Sequence, residues 1–223
     1  MSDRGFQLMT VVVGDEPDGW ARAGFTMDGA ATRIGTTTIV CDPSNGPGIR
    51  EVAIDGLAEP IDGLRIGAGP VETDPVEHPN QVVGFDHLVA MSPAIERTAE
   101  ALQAAGLTKR RTREFAVGEE TRRQDFFWLG DVILELVGVT GVTGVLYGGG
   151  GNAPDPSEEP IVPASFWGLA LECADLDAAA DALGDGLGRI KDAVQSGRRI
   201  ATLRAEPFGL SVPIALMSPH VAP

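Results

Sequence analysis

An internal repeat is the feature that most constrains this chain. Two stretches, one in the middle and one at the C-terminal end, show the same predicted order of one strand, one helix and three strands. They align under a single shift of 81 residues, which places His87 on Gly168 and Glu135 on Leu216. The spacing between these marker positions is therefore 48 residues in both copies. A single shift that fits strand, helix and final strand predicts a duplicated β-α-β-β-β module.

The middle copy carries the clearest local signals. Alternating aliphatic residues predict a first strand at 85–92. The pair Ser92-Pro93 predicts the start of a helix, because Ser is a good N-cap and Pro fits the first turn. This helix is expected to end at Gly106. The three remaining strands of the copy are predicted at 109–117, 122–130 and 132–139.

The other parts of the chain are interpreted by comparison with this copy. The C-terminal copy has its strand, helix and three strands at 166–173, 176–188, 189–197, 198–206 and 211–218. The N-terminal segment repeats the order with a helix about two turns shorter, so something else should cover its sheet. We predict an α+β fold of curved sheets that form a cup, from two near-complete modules and one shortened module. The predicted units are a module (1–57), a linker (58–81), a module (82–140), a Gly/Pro-rich linker (141–164) and a module (165–223).

Composition excludes several classes of partner. The 223 residues include 32 acidic and 17 basic ones, a net charge of −15, which argues against nucleic acid or an anionic membrane surface as the partner. No apolar run is long enough to span a bilayer, and the N-terminus lacks the pattern of a signal peptide. Two distant cysteines, Cys41 and Cys173, are typical of a reduced, cytoplasmic protein. The preference for Arg over Lys is typical of a GC-rich bacterial genome.

Short motifs in the middle copy carry a resemblance to a known family. These motifs are DHLV at 86–89, a helix end in Ala-Gly-Leu at 105–107, and LGD at 129–131 leading into ILELV at 133–137. Together they resemble the vicinal oxygen chelate superfamily, which includes glyoxalases, extradiol dioxygenases and bleomycin-resistance proteins. The resemblance implies paired βαβββ modules whose curved sheets surround a ligand.

The resemblance also implies where a metal would be held. In metal-using members, each module supplies a His on its first strand and a Glu on its last strand. His87 and Glu135 match these positions, and their donor atoms suit Fe, Mn, Ni or Zn. The C-terminal module offers Gly168 and Leu216 instead, neither of which is a ligand. Two protein ligands rarely hold a catalytic metal, so the resemblance predicts an incomplete site and a chain that works without the metal.

Two residues are candidates for a catalytic role. Glu135 lies within Val-Ile-Leu-Glu-Leu-Val, and an acid in so apolar a strand must be paired or hydrated, which indicates a cavity or a partner. His87 is either a hydrogen-bonded core histidine or a ligand-binding group partnered by Glu135. Neither a nucleophile elbow nor a dinucleotide-binding fingerprint occurs in the sequence.

Aromatic and arginine side chains are the candidates for ligand binding. Alternation sends Phe126 and Trp128 to one face of their strand, either toward the cup or beneath the helix. Trp167 lies near the start of the first strand of the C-terminal module. Arg113 and Arg123 belong to an arginine cluster that forms either a solvated face, dimer salt bridges or a carboxylate clamp at the mouth of the cup.

Three functions remain open from the sequence. The preferred one is a metal-free cup that binds a small, partly apolar molecule, as resistance proteins of this superfamily do. The second is a metal-dependent lyase or dioxygenase that uses His87 and Glu135, completed by a neighbouring chain or by water. The third is a structural or regulatory module. An odd number of modules leaves a sheet edge, so we expect a homodimer, or an N-terminal copy that pads the cup.

Overall fold

The computed structural model describes residues 5–118, 120–140 and 162–219. The predicted linker at 141–164 lies outside the described residues, apart from 162–164. In chain order, the elements are β1 (Gln7–Val13), α1 (Pro17–Arg22), β2 (Ala31–Ile34), β3 (Thr37–Cys41), β4 (Ile49–Asp55), β5 (Val82–Met91), α2 (Ile95–Ala104), β6 (Lys109–Val117), β7 (Glu120–Leu129), β8 (Val132–Val139), β9 (Ser165–Cys173), α3 (Leu176–Leu183), β10 (Lys191–Asp192), β11 (Arg199–Leu203) and β12 (Ile214–Met217). Within the described residues, no helix is long and apolar enough to cross a membrane.

An eight-stranded mixed sheet forms the centre of the α+β fold, in the order β10-β11-β12-β9-β5-β8-β7-β6. In each half of this sheet, the first and last strands of a β-α-β-β-β unit are adjacent and parallel, as β5 with β8 and β9 with β12. The halves are joined by antiparallel pairing of β5 with β9. The middle and C-terminal units therefore share one topology, and each leaves its outer strand at an edge of the sheet.

Several boundaries within these units differ from the prediction; the helix predicted at 176–188, for example, ends at Leu183. Helix α2 begins at Ile95, so Ser92-Pro93 lie in the loop before it. In that loop the Ser92 hydroxyl accepts a hydrogen bond from the Ala94 N–H at 3.0 Å. The strand predicted at 189–197 is reduced to two residues, Lys191–Asp192. The chain turns back directly after it, where the Ala193 N–H donates to the Arg198 carbonyl at 2.9 Å.

The N-terminal unit has the predicted order of elements but a different strand pairing. Its sheet order is β2-β3-β1-β4, with β1 parallel to β3 and antiparallel to β4. In the other two units, by contrast, the first strand is parallel to the last. Strand β4 here lies beside β1 as β9 lies beside β5. The N-terminal unit is thus a β-α-β-β unit with an added edge strand, and not a shortened copy of the same topology.

The N-terminal sheet packs on the face of the large sheet that also carries α2 and α3. Its buried side chains belong to the same hydrophobic core as those of the other units. Polar contacts fix the packing, because the Asp62 carboxylate accepts bonds from Arg97 Nε at 2.8 Å and from the Thr98 hydroxyl at 2.5 Å. At the other end, the Asp15 carboxylate accepts the Ser211 N–H at 2.7 Å. The large sheet supplies the cover that the short helix α1 cannot. Within the described ranges, the residues that line the cavities beside His87 and Glu135 include none from the N-terminal unit, so this unit does not pad the cup.

Residues 58–81, predicted as a linker, connect the N-terminal unit to β5 and contribute to the core. Ile61, Leu64 and Ile66 are buried. The His78 ring accepts the Thr26 N–H at Nδ1 (3.1 Å) and donates from Nε2 to the Arg33 carbonyl at 2.9 Å. Burial lowers the pKa of His78, which favours this neutral form.

Candidate functional site

Strands β5 and β8 bring His87 and Glu135 together. The two strands are parallel neighbours, and Val89 lies opposite Glu135. His87 lies two residues before Val89 and therefore points to the same face of the sheet as Glu135. Leu134 and Leu136 turn to the helix side and are buried, whereas Glu135 turns to the cup. The distance from His87 Nε2 to Glu135 Oε2 is 3.2 Å. The partner that an acid in this apolar strand requires is therefore His87.

Three further residues complete the polar cluster around this pair. Gln124 on β7 donates from Nε2 to Glu135 Oε1 at 2.6 Å. The Asp86 carboxylate lies 2.7 Å from His87 Nδ1 through one oxygen and 2.5 Å from a guanidinium nitrogen of Arg198 through the other. Arg198 also donates from Nε to the Ser218 carbonyl at 2.7 Å.

Sequence reasoning missed these three residues for different reasons. Asp86 belongs to the DHLV motif and directly precedes His87, so the sequence contained a signal that it could be a partner of His87. Gln124 lies two residues before Phe126, and alternation puts both on one face of β7. Arg198 gave no signal, because it reaches the site from a turn in the C-terminal unit.

The Asp86 carboxylate faces a donor at each of its oxygens, His87 at one and Arg198 at the other. Burial by itself raises the pKa of the Asp86 carboxyl, but the hydrogen bonds from His87 and Arg198 outweigh it and hold that pKa below its ordinary value. Both ring nitrogens of His87 face carboxylate oxygens, and both can donate only in the imidazolium form. The His87–Glu135 contact therefore places an imidazole nitrogen and a carboxylate oxygen within hydrogen-bond reach of each other in the cup.

Two cavities lie on either side of this cluster. One has a volume of about 440 Å³ and is mostly apolar. The other has a volume of about 310 Å³ and contains several cationic side chains. His87, Gln124 and Glu135 line both and thus form a partition between them. The apolar compartment also contains Val89, Met91, Val137, Trp167, Leu169 and Ile214.

The predicted ligand-binding residues are distributed unevenly around these cavities. Trp167, half exposed, lines the apolar compartment, and Phe126 and Arg113 line the cationic one. Trp128 lies on the same face of β7 as Phe126, but its ring packs under the Arg110 guanidinium. The guanidinium carbon lies 4.5 Å from the centroid of that ring.

Arg123 points to the opposite face of the sheet. It donates to the buried Asp125 carboxylate at 2.7 Å and lies 3.5 Å from Glu96 on α2. These two carboxylates raise the pKa of the Arg123 guanidinium, with the Asp125 hydrogen bond as the largest cause. The structure thus places Arg123 in the packing of helix on sheet, away from the cup.

The positions in the C-terminal unit that correspond to His87 and Glu135 differ from those found by the sequence shift. Ala170 lies opposite His87 across the β5–β9 pairing. Met217 lies opposite Glu172, two residues after Ala170, just as Glu135 lies opposite Val89, two residues after His87, so we take Ala170 and Met217 as the corresponding positions. Leu216 instead faces the core and is fully buried. A single shift cannot fit both strands, because His87 pairs with Ile133, 46 residues later, whereas Leu169 pairs with Ile214, 45 residues later.

Gly168 is also excluded as a ligand position. A Cβ built there would lie 2.9 Å from the Pro213 carbonyl oxygen, so the backbone of the neighbouring segment occupies the space. The corrected positions add no metal ligand to His87 and Glu135, because Ala170 and Met217 offer no imidazole or carboxylate.

A three-ligand metal site does not fit these residues. The described part of the chain contains no group of three His, Cys, Asp or Glu residues arranged to hold a metal ion. His87 and Glu135 provide two donors, and the amide of Gln124 is the next polar group in the cavity wall. Catalytic sites of this type commonly use three protein ligands, so the set is at least one strong donor short.

Comparisons with known proteins identify the fold. No protein-family model matches the sequence, and no curated protein matches it. Among solved structures, a mutant of 4-hydroxymandelate synthase from Streptomyces coelicolor aligns with 97% of this chain and 93% of its own, at 13% identity and a TM-score of 0.62. A catechol 2,3-dioxygenase aligns with 97% of this chain and 88% of its own, at 13% identity and a TM-score of 0.52.

A third match is a fusion of a xylose isomerase-like TIM barrel with 4-hydroxyphenylpyruvate dioxygenase. It covers 97% of this chain and 49% of its own, at 13% identity and a TM-score of 0.58. These matches show a shared fold over 97% of the chain, and that fold agrees with the resemblance in the middle module. The chain has the fold of the vicinal oxygen chelate superfamily.

Proposed function

We propose that this chain binds a small, partly apolar organic molecule in the cup, and that binding does not require a complete metal site. The observation that carries the proposal is the placement of the His87–Glu135 pair in the wall of a mostly apolar cavity of about 440 Å³, whose other polar lining residues are Arg122, Gln124 and Thr202. Cavities of this size that combine apolar walls with a few polar groups are typical of small-molecule sites.

The polar pair is suited to recognise a ligand oxygen or N–H group. The 3.2 Å contact between His87 and Glu135 lies at the long end of the hydrogen-bond range, so a ligand group can compete for either atom. Gln124 keeps the Glu135 carboxylate in position from its other oxygen. The apolar part of the ligand would contact Trp167, whose indole is half exposed at the rim.

A metal-dependent lyase or dioxygenase is the second candidate, and one observation favours it. Asp86 binds Nδ1 of His87 and so directs Nε2 toward Glu135, an arrangement that resembles the support of metal-bound histidines. Two ligands at about 2.1 Å from one ion are separated by roughly 3 Å, close to the distance between these two atoms. Such a site would need further donors from water, substrate or a neighbouring chain.

Two matched tryptophans allow a direct test of the binding proposal. Titration with the neutral fluorescent dye Nile red is expected to give one saturable site per chain. Trp167→Ala should weaken dye binding about ten-fold or more, because it removes an apolar wall of the cavity. Trp128→Ala, which removes an indole of similar exposure (42% against 52%) that does not line that cavity, should leave the affinity unchanged.

The same preparations distinguish the two candidates. Metal content is measured in the purified protein and in a His87→Ala/Glu135→Ala variant, and dye binding is repeated after chelation. Unchanged binding after chelation supports the metal-free cup. Near-stoichiometric Fe, Mn, Ni or Zn that is lost in the variant supports the metal-dependent candidate. Equal effects of the two tryptophan variants, or no saturable binding, would contradict the proposed cup.

A further inference from the structure

We infer that the ligand of the cup is an organic carboxylate, whose charged group enters the compartment lined by Arg111 and Arg113. This inference rests on the proposed binding function and names the chemical class of the ligand. The compartment has a volume of about 310 Å³ and lies across the His87–Gln124–Glu135 partition from the apolar one.

Strand pairing directs both arginines to the cup. Arg111 on β6 lies opposite Phe126 on β7, and Arg113 lies opposite Gln124. Directly opposed residues of an antiparallel pair share a face, and both partners line this compartment. The arginine cluster recognised in the sequence is thus divided, since Arg123 turns to the helix side.

Aromatic rings hold the guanidinium groups without neutralising them. The guanidinium carbon of Arg111 lies 4.5 Å from the centroid of the Phe126 ring, and that of Arg113 lies 5.0 Å from the centroid of Phe115. Stacking of this kind fixes the plane of the guanidinium and leaves its N–H groups available at the edges. An oriented guanidinium is suited to bind a carboxylate through two parallel hydrogen bonds.

Neither arginine has a carboxylate partner within the described ranges. Among the ion pairs of these residues, none involves Arg111 or Arg113, although the chain carries 32 acidic residues against 17 basic ones. Lys191 adds a third cation to the lining, and Asp192 and Glu135 are its acidic members. Glu135 is already bonded to His87 and Gln124, so the compartment retains an excess of positive charge facing its interior.

One side chain connects this charge to the apolar compartment. Arg113 donates to Gln124 Oε1 at 3.4 Å, and Gln124 donates in turn to Glu135 at 2.6 Å. A molecule with an apolar body in one compartment and a carboxylate in the other would therefore contact the polar partition between its two ends. This arrangement selects amphipathic acids over neutral molecules of the same shape.

The test uses an acid and its neutral analogue, 4-phenylbutanoate and 4-phenylbutanamide, as competitors of Nile red. The wild type is expected to prefer the acid at least ten-fold. Arg111→Met/Arg113→Met should reduce that preference to within two-fold and leave the amide affinity unchanged. Arg189→Met/Arg204→Met removes the same charge from two exposed residues and should keep the preference, which controls for net charge.

Each outcome has a distinct meaning. Equal affinity for acid and amide in the wild type, or a preference that survives in Arg111→Met/Arg113→Met, overturns the inference and leaves the binding cup intact. Displacement of the acid by equimolar inorganic phosphate also overturns it, since the compartment would then be selective for another anion. Absence of dye binding in the wild type overturns the proposed function itself. Circular dichroism and the retained amide affinity establish that the double variant is folded.

Discussion

Replacement of Arg198 by Met is expected to destabilise the protein strongly, because it removes the guanidinium that faces one oxygen of the buried Asp86 carboxylate and leaves His87 to face the other. The Arg198 side chain is 2% exposed and lies 2.5 Å from the Asp86 carboxylate, which is 10% exposed. Removal of one partner from a buried ion pair costs about 3–5 kcal/mol. For a chain of this length, that corresponds to a fall in Tm of about 6–10 °C, at roughly 2 °C per kcal/mol.

The neighbouring residue provides a matched control. Arg199 forms an ion pair of similar length with Asp177, at 2.8 Å, but these side chains are 44% and 68% exposed. Exposed pairs of this kind contribute little, because water and salt screen them. Arg199→Met is therefore expected to leave Tm within experimental error. Differential scanning calorimetry of both variants makes the comparison in one buffer.

The double variant Asp86→Asn/Arg198→Met separates the ion pair from simple loss of packing. If loss of the Asp86–Arg198 charge pair causes the destabilisation, the double variant should be more stable than Arg198→Met alone, with a coupling energy of about 1 kcal/mol or more. Equal Tm values for Arg198→Met and Arg199→Met, or strict additivity in the cycle, would refute the reasoning.

The fall in Tm caused by Arg198→Met should also depend on pH and should be smaller in acid. The pKa of Asp86 is depressed in the folded protein, so its contribution to stability is present above the ordinary pKa of an unfolded Asp, about 3.9. That contribution is lost as the pH falls through the lower, folded-state value. The difference in Tm between wild type and Arg198→Met should therefore be full at pH 7 and shrink as the pH falls below about 4.

Two further predictions concern metal binding and the thiols. Ala170→His/Met217→Glu should create a stoichiometric Zn²⁺ or Ni²⁺ site with His87 and Glu135, measured by isothermal titration. The variant Ala170→His/Leu216→Glu should not, because its new carboxylate points into the core. Burial raises the pKa of Cys41 to about 12 and of Cys173 to about 11. At pH 8 both thiols should therefore react with Ellman's reagent at least about 100-fold more slowly in native than in unfolded protein, and fast labelling of either would contradict that burial.

Much of the architecture follows from local patterns in the sequence. The predicted strand at 132–139 coincides with β8, and the element order of all three units is as predicted. Strand alternation also explains why Glu135 faces a cavity, since its neighbours Leu134 and Leu136 are buried on the other side. These features depend on nearest neighbours along the chain, and periodicity reports them directly.

The errors concern contacts between segments that are distant in sequence. Periodicity carries no information on which strands pair, so it could not reveal that β1 is parallel to β3 in the N-terminal unit. It also could not reveal that β9 pairs with β12 in a register one residue different from that of β5 with β8, which turns Leu216 to the core and Met217 to the cup. The arginine cluster was visible, but its division between Arg113 at the cup and Arg123 at helix α2 depends on where β6 and β7 pack.

The polar cluster around His87 is also a contact between the middle and the C-terminal modules. The C-terminal module therefore contributes to the cup although it supplies no metal ligand. Asp86 and His87 belong to the middle module, whereas Arg198 comes from the C-terminal one and is anchored there by the Ser218 carbonyl. The C-terminal module thus supplies the counter-ion of the carboxylate that orients His87. It also contributes Ala170 and Ile214 to the apolar wall. In the proposed binding cup, the C-terminal module therefore helps to orient His87 and shapes the cavity.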